Sequence, residues 1–302
     1  MAVASVVLLA GGTGGAKLAR GLLDELGPEL TVIANTGDDV EIYGAYVSPD
    51  PDLVTFWLAD AIDERGWGLD GDTFAAMEQL RALGEDVWFN LGDRDLAIGL
   101  HRAGRLAAGA RLTDAIDDLR RAFGVPARVL VPTDDPLRTW ILARGRWRPF
   151  QEFMIRGQGE GPIEDVEYRM SPAPSAPAPE ALAALRAADT ILIGPSNPVL
   201  SIDPILSVLQ DELHAASAPV VAVSPLVGGR VLKGPTAECL RWAGRTLDSN
   251  GIVDHYEGLI DALVADERAE HMPTLETGVE LSTADARRRV AHDVLAFAAA
   301  LA

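Results

Sequence analysis

A doubly wound α/β fold, with a mainly parallel sheet and an all-helical insertion domain, is the architecture this sequence predicts. Short apolar runs recur at Val6–Ala10, Leu30–Ala34, Arg128–Val131, Thr190–Ile193 and Val220–Val223. They are too short for helices and do not alternate, which is the pattern of strands covered on both faces. Four of them end in a glycine-rich or polar loop, the place where such sheets bind ligands. From about Leu53 to Phe123 the apolar spacing turns helical instead (Phe56/Leu58/Ile62, Phe74/Met77/Leu80, Ala115/Ile116/Leu119).

Taken in order, Met1 to Ala10 reads as a first buried strand and runs into Gly11-Gly12-Thr13-Gly14-Gly15. Ala16 to Leu26 is amphipathic, so the motif is strand, glycine loop, helix. Leu30 to Ala34 is a second strand, and the helical block follows. Arg128 to Val131 restores strand character, and Thr139–Ala143 with Arg146–Phe153 flank Arg144-Gly145 as a hairpin. Ser171 to Pro179 alternates Pro, Ala and Ser and reads as an exposed linker. Two further strands, Thr190–Ile193 and Val220–Val223, precede a final helix from about Thr283 to Leu301. This gives a core of residues 1–45 and 125–302, with the insertion at 46–124.

The 302 residues, 48% apolar, suffice for a real core. A formal net charge of −19 argues against nucleic-acid binding, which needs clustered Lys and Arg. No run approaches the ~18 apolar residues of a membrane helix, so no membrane partner is expected. The single cysteine, Cys239, and the absence of a basic leader before the first apolar run point to the cytoplasm. Only two lysines occur, Lys17 and Lys233, both beside glycines where an ammonium can meet a phosphate.

The polar clusters sit at turns between apolar runs. Gly12, Thr13, Gly14, Gly15 and Lys17 follow a strand and open a helix, where backbone amides and the dipole hold anions. They match neither the Walker pattern nor the dinucleotide fingerprint, and a tight turn without ligand is the plain alternative. Asp38 and Asp39, with Asp50 and Asp52 farther on, offer hard oxygen ligands for Mg²⁺, or else turn and helix caps; Asp52 in particular precedes an apolar run. Asp93-Arg94-Asp95 allows an arginine held between carboxylates and aimed at a phosphate, or a structural ion pair. Trp88 and Phe89 stand beside this run and serve either the core or a stacked ring. Gly194, Ser196 and Asn197, in Gly-Pro-Ser-Asn-Pro, offer a rigid turn with a hydroxyl and an amide to a nucleotide. No nucleophile elbow or Cys/His pair supports covalent catalysis.

In sequence order, Gly11 to Lys17, Asn35 to Asp39, Ser48 to Asp52, Leu91-Gly92-Asp93-Arg94-Asp95, Phe150-Gln151-Glu152-Phe153, Gly194 to Pro198 and Val223-Ser224-Pro225 resemble the 2-phospho-L-lactate transferase family of coenzyme F-420 biosynthesis. The resemblance spans nearly the whole chain. It implies a Rossmann-like core with a helical insertion, a homodimer and Mg²⁺. It also implies transfer of a 2-phospholactyl group, or in actinobacterial-type members a phosphoenolpyruvyl group, from a guanosine diphosphate-linked donor to the terminal hydroxyl of the deazaflavin Fo, releasing GMP. Asp52 and Asn90 then contact Fo with Trp88 and Phe89 beside them, and Asp38, Asp39 and Asp52 form the metal end. Asn90 stands where some relatives carry a basic residue, and Asp52-Leu53 replaces an Asp-Thr pair.

On this reading Arg94 and the glycine loop absorb charge on the leaving GMP, and Asp50 or Asp52 accepts the alcohol proton. Asp52→Ala is expected to lower turnover by orders of magnitude while the fold survives. Two alternatives are a non-catalytic nucleotide-sugar-binding regulator resembling gluconeogenesis factor and a nicotinamide-dependent oxidoreductase.

Overall fold

In chain order the elements are β1 (Val6–Ala10), α1 (Gly12–Leu26), β2 (Leu30–Ala34), an antiparallel hairpin β3 (Val40–Ile42) and β4 (Ala45–Val47), then α2 (Pro49–Leu58), α3 (Ala75–Ala82), α4 (Asp93–Ala107), α5 (Leu112–Ala122) and β5 (Arg128–Leu130). A small sheet follows, β6 (Leu137–Ala143), β7 (Arg146–Pro149) and β8 (Ile163–Met170). Next come α6 (Pro179–Ala187), β9 (Thr190–Ile193), α7 (Asp203–His214), β10 (Val220–Val223), the short hairpin β11 (Leu226–Val227) and β12 (Arg230–Val231), and α8 (Thr236–Trp242). The chain closes with α9 (Ser249–His255), β13 (Ala262–Ala265), β14 (Thr274–Glu276) and α10 (Ala284–Ala299). This computed structural model describes residues 5–159 and 161–301, so Met1 to Ala4 of the expected first strand lie outside the described residues.

Seven strands form the central sheet in the order β14-β13-β10-β9-β1-β2-β5, every pair parallel. The fold is Rossmann-like. After β1 the chain winds to one side through β2 and β5, then returns to the other side through β9, β10, β13 and β14. The topological switch point therefore lies between β1 and β9, where ligands bind beyond the strand carboxyl ends.

Two apolar layers sandwich the sheet, and each strand feeds both by alternation. Val6, Leu8 and Ala10 face a layer built with α1, α2, α5 and α10. Val7 and Leu9 face another, with side chains of α6, α7, α8 and α9. Among the described residues no helix is long and apolar enough to cross a membrane.

Several local expectations shift. The helix after β1 begins at Gly12, so the glycine loop is mostly the first turn of α1. α2 begins at Pro49, with Ser48 as N-cap and proline at the first turn, a favoured start. Asp50 and Asp52 therefore lie inside the first turn, and Asp52 is no cap. The hairpin β3–β4 replaces a loop, its turn made by Tyr43 and Gly44 with φ of 53° and 77°. The second arm of the expected hairpin ends at Pro149, and Glu152–Arg156 is a π-helical turn; a second π-helical turn is Pro198–Ile202. β8, with the sequence IEDVEYRM, carries charge on its open face and shows no apolar run to read.

Candidate active site

A cavity of about 480 Å³ opens at the switch point. Gly12, Thr13, Gly14 and Lys17 of α1 form one wall; Pro195, Ser196, Asn197 and Ser201, after β9, form the facing one. Ser224 and Pro225 at the end of β10, Lys233, Glu280, and Phe150 with Met154 also line it. Both lysines of the chain thus meet in one cavity of a protein whose net charge is −19.

Close packing of two loops makes this wall possible. A Cβ on Gly14 would sit 2.1 Å from the Pro195 carbonyl oxygen, and one on Gly15 would lie 2.8 Å from Ser196 Oγ. Gly15 and Gly194 do not line the cavity: they pack behind it, a Cβ at 194 falling 3.3 Å from Gly15 Cα. Ser196 Oγ accepts a 3.2 Å hydrogen bond from the Gly11 N–H. Asn197 lines the cavity, and its side chain also ties the wall together. Its Oδ1 caps the π turn by accepting from Val199 N and Leu200 N, each at 3.0 Å, and its Nδ2 donates to Cys239 Sγ.

Lys17 projects over the Trp57 ring, its Nζ 5.6 Å from the centroid, and the Arg287 guanidinium stacks on the same ring at 5.1 Å. Burial, then Lys233 and Arg287, lower the Lys17 ammonium below its ordinary range, against an opposing pull from Glu280. Two cations held so close favour an anionic ligand between them.

The acids form two groups, differently from the sequence expectation. Asp50 reaches the start of α1: its Oδ1 accepts from Gly12 N at 2.7 Å and its Oδ2 from Asn35 Nδ2 at 2.9 Å. The same Asn35 nitrogen donates to Asp38 Oδ1 at 3.1 Å, while Asn35 Oδ1 accepts from Gly37 N at 2.7 Å. Burial raises the Asp50 carboxyl to about 6, although the Gly12 and Asn35 bonds pull the other way. Burial and the neighbouring Asp50 push Asp38 well above the carboxylate range.

Asp39 and Asp52 belong to the second group. Asp39 Oδ1 accepts from Ser48 Oγ at 2.7 Å, and its buried Oδ2 makes no hydrogen bond of normal geometry among the described residues. Burial raises Asp39 to about 7, with Arg138 the strongest opposing influence. Asp52 is gripped on both oxygens by the guanidinium of Arg102, a side chain only 1% exposed.

The expected metal end of Asp38, Asp39 and Asp52 is thus divided between the two groups. Asp38 shares an amide with Asp50, Asp52 is paired with Arg102, and Asp39 is tied to Ser48. Among the described residues no three or more His, Cys, Asp or Glu side chains are arranged to hold a metal. The Asp38–Asp50 pair still suits Mg²⁺, which takes one or two carboxylates and completes its shell with water and substrate phosphate. Two buried acids facing one amide also leave negative charge that a cation would neutralise.

Arg94 is not held between Asp93 and Asp95. It is exposed, and its Nη1 donates to the Asp70 carbonyl at 2.9 Å. Asp93 instead binds the start of α3, accepting from Ala75 N and Ala76 N at 3.1 and 2.8 Å. Trp88 and Phe89 stack on each other, centroids 5.8 Å apart, and Arg156 lies over Trp88 at 5.1 Å while pairing with Asp86. Asn90 is exposed and accepts from Arg81 Nη2 at 2.7 Å.

Sequence reasoning missed Asn35 and Arg102. Asn35 stands inside a motif whose aspartates drew the attention. Arg102 was legible in principle: Asp95, Gly99 and Arg102 recur at helical spacing along one face of α4.

Comparison with known proteins identifies the family. A family model described as 2-phospho-L-lactate transferase CofD matches residues 6–301. A 2-phospho-L-lactate transferase of Methanocaldococcus jannaschii is 36% identical over 98% of this chain and 99% of its own. A phosphoenolpyruvate transferase of Thermobifida fusca is 37% identical over 91% of this chain and 90% of its own. Among solved structures, a UPF0052-family protein of Bacillus halodurans superposes with a TM-score of 0.64 at 18% identity, covering 98% of this chain and 99% of that one; this likeness concerns the fold. The chain belongs to the 2-phospho-L-lactate transferase CofD family.

Proposed function

We propose that this chain moves a 2-phospholactyl or phosphoenolpyruvyl group from a guanosine diphosphate-linked donor to the terminal hydroxyl of the deazaflavin Fo, releasing GMP, in coenzyme F-420 biosynthesis. The observation that carries this reading is the switch-point cavity, which joins a glycine-rich helix start, both lysines and, beside Gly12, the Asp50–Asn35–Asp38 group. The cytoplasmic location, read from the single cysteine, and the homodimer, implied by the family resemblance, belong to the same proposal.

In transfer of this kind the protein mainly positions groups and neutralises charge. The donor diphosphate lies over the first turn of α1, whose N–H groups and dipole favour anions. Lys17 and Lys233 supply positive charge along the cavity. Asp38 and Asp50 would hold Mg²⁺, which would neutralise the donor phosphates as the bond to GMP breaks. Asn35 keeps the two carboxylates turned towards each other, and Gln151 Nε2 donates to the Asp38 carbonyl at 3.3 Å, steadying that loop. Asp52 and Asn90 face the acceptor, with Trp88 and Phe89 as the aromatic surface for its flat ring. The transfer needs in-line placement of the hydroxyl more than a strong base.

The test is incubation of the protein with Fo, Mg²⁺ and each of the two guanosine diphosphate-linked donors, followed by mass analysis of the products. A product of Fo mass plus the phospho-acyl group, with GMP in equal amount, is expected. A protein that binds GDP but yields neither product with either donor would overturn the reading.

A further inference from the structure

Arg102 is among the largest fully buried side chains, at 1% exposure. Burying a guanidinium is costly, and a buried ion pair seldom stabilises a fold more than apolar packing of the same volume does. The cost is not fully recovered here, because Arg102 Nε is buried with no hydrogen-bond partner among the described residues. A residue that is expensive to keep invites the question of what it holds.

It holds Asp52. The two terminal nitrogens grip the two carboxylate oxygens, and Nη1 also donates to the Tyr46 carbonyl at 2.9 Å. Gly99, one turn earlier on α4, permits this approach: a Cβ there would lie 2.9 Å from Ala45 Cβ. The third corner, Tyr46, is fixed from its other end, since its hydroxyl accepts from Arg138 Nη2 at 3.2 Å. The fork uses one lone pair of each Asp52 oxygen and leaves the others for a further donor. Asp52 is thereby locked in one orientation by α4 and the β4 strand together.

The geometry points to Arg102 as a positioning residue of the transfer reaction, fixing Asp52 so that this carboxylate accepts a hydrogen bond from the acceptor alcohol and aligns it. The inference rests on the proposed function, in which Asp52 faces the acceptor. It assigns Asp52 a task of placement and gives α4 a part in the reaction through Arg102, which acts by way of Asp52.

Four proteins test it: wild type, Arg102→Lys, Asp52→Asn, and the double variant. Each is assayed for kcat, for KM of Fo and of donor, and for GDP binding by calorimetry. Lysine keeps the charge but loses the fork, so Arg102→Lys is expected to lower kcat by about 10²-fold, as misplacement near 1 Å does. GDP binding and donor KM stay at wild-type values. The double variant is expected to be no slower than the worse single variant, because both remove one shared arrangement. Wild-type kcat in Arg102→Lys, or multiplying losses in the double variant, would overturn the inference. So would loss of GDP binding in Arg102→Lys, which marks a general structural role. Absence of product from wild type would instead sink the proposed function.

Discussion

Asp38 and Asp50 accept hydrogen bonds from one and the same amide nitrogen, Asn35 Nδ2, at 3.1 and 2.9 Å. Two buried carboxylates so placed repel each other, and a single neutral amide offsets only part of that repulsion.

Removing the amide is expected to weaken cation binding. Groups that orient metal ligands typically contribute about 10–100-fold in affinity, so Asn35→Ala is expected to raise the Mg²⁺ concentration for half-maximal turnover by about that factor. A Mg²⁺ titration of wild type and variant checks it. An unchanged requirement would take Asn35, and with it the Asp38–Asp50 pair, out of cation binding.

Lys17 and Lys233 are expected to act on the same anion. Charge-assisted hydrogen bonds are worth about 1.5–3 kcal/mol, so Lys17→Ala and Lys233→Ala should each weaken GDP binding by roughly 10–100-fold in calorimetry. Their binding should also depend less steeply on salt than that of wild type. If GDP binds both variants as it binds the wild type, the cavity is not the nucleotide site.

Asp95 gives a pH dependence of stability. Burial, followed by the nearby Asp52 and Asp72, pushes its carboxyl up to about 7. A carboxyl raised in this way binds its proton more tightly folded than unfolded. The stability it contributes is therefore present below about pH 4 and is lost as pH rises through 7. Asp95→Asn abolishes that loss. Its Tm is expected to match wild type at pH 4 and to exceed it at pH 8, by about 2–4 °C for each kcal/mol. Thermal unfolding across pH 4–8 measures this, and coincident curves at pH 8 would contradict it.

Two glycines of α-helices should respond oppositely to alanine. At Gly14 a Cβ would strike the Pro195 carbonyl, so Gly14→Ala is expected to destabilise by about 1–3 kcal/mol and to narrow the cavity. Gly104 has nothing within 4 Å of its Cβ direction, and Gly104→Ala should stabilise α4 by up to about 1 kcal/mol. Denaturant unfolding of the two variants gives both signs at once.

The sheet was largely legible because its buried strands are apolar runs ending in glycine or polar loops, and β1, β2, β9 and β10 fall where those runs do. β8 and β14 were not, since a half-open sheet and an edge strand need few apolar residues, and neither was the buried β13, whose four residues Ala-Leu-Val-Ala make too short a run to stand out. At the site, the loops were identified but not the pairings within them. Asp52 was expected beside Asp38; it turns instead to Arg102, on another helix. The expectation that Asp52→Ala leaves the fold untouched changes with it: that variant strands a buried guanidinium, a loss of about 3–5 kcal/mol. Asp52→Asn is the cleaner probe.

By itself the sequence determined the strand-loop-helix grammar, the loops that carry polar chemistry and the family, because local patterning and short motifs are properties of contiguous residues. Only the tertiary structure decided which carboxylates share a partner, which cations line the cavity and which side chains tie the wall together. Those outcomes depend on distances between segments remote in the chain and on how completely water is excluded from each group, and neither quantity is written in any one stretch of residues.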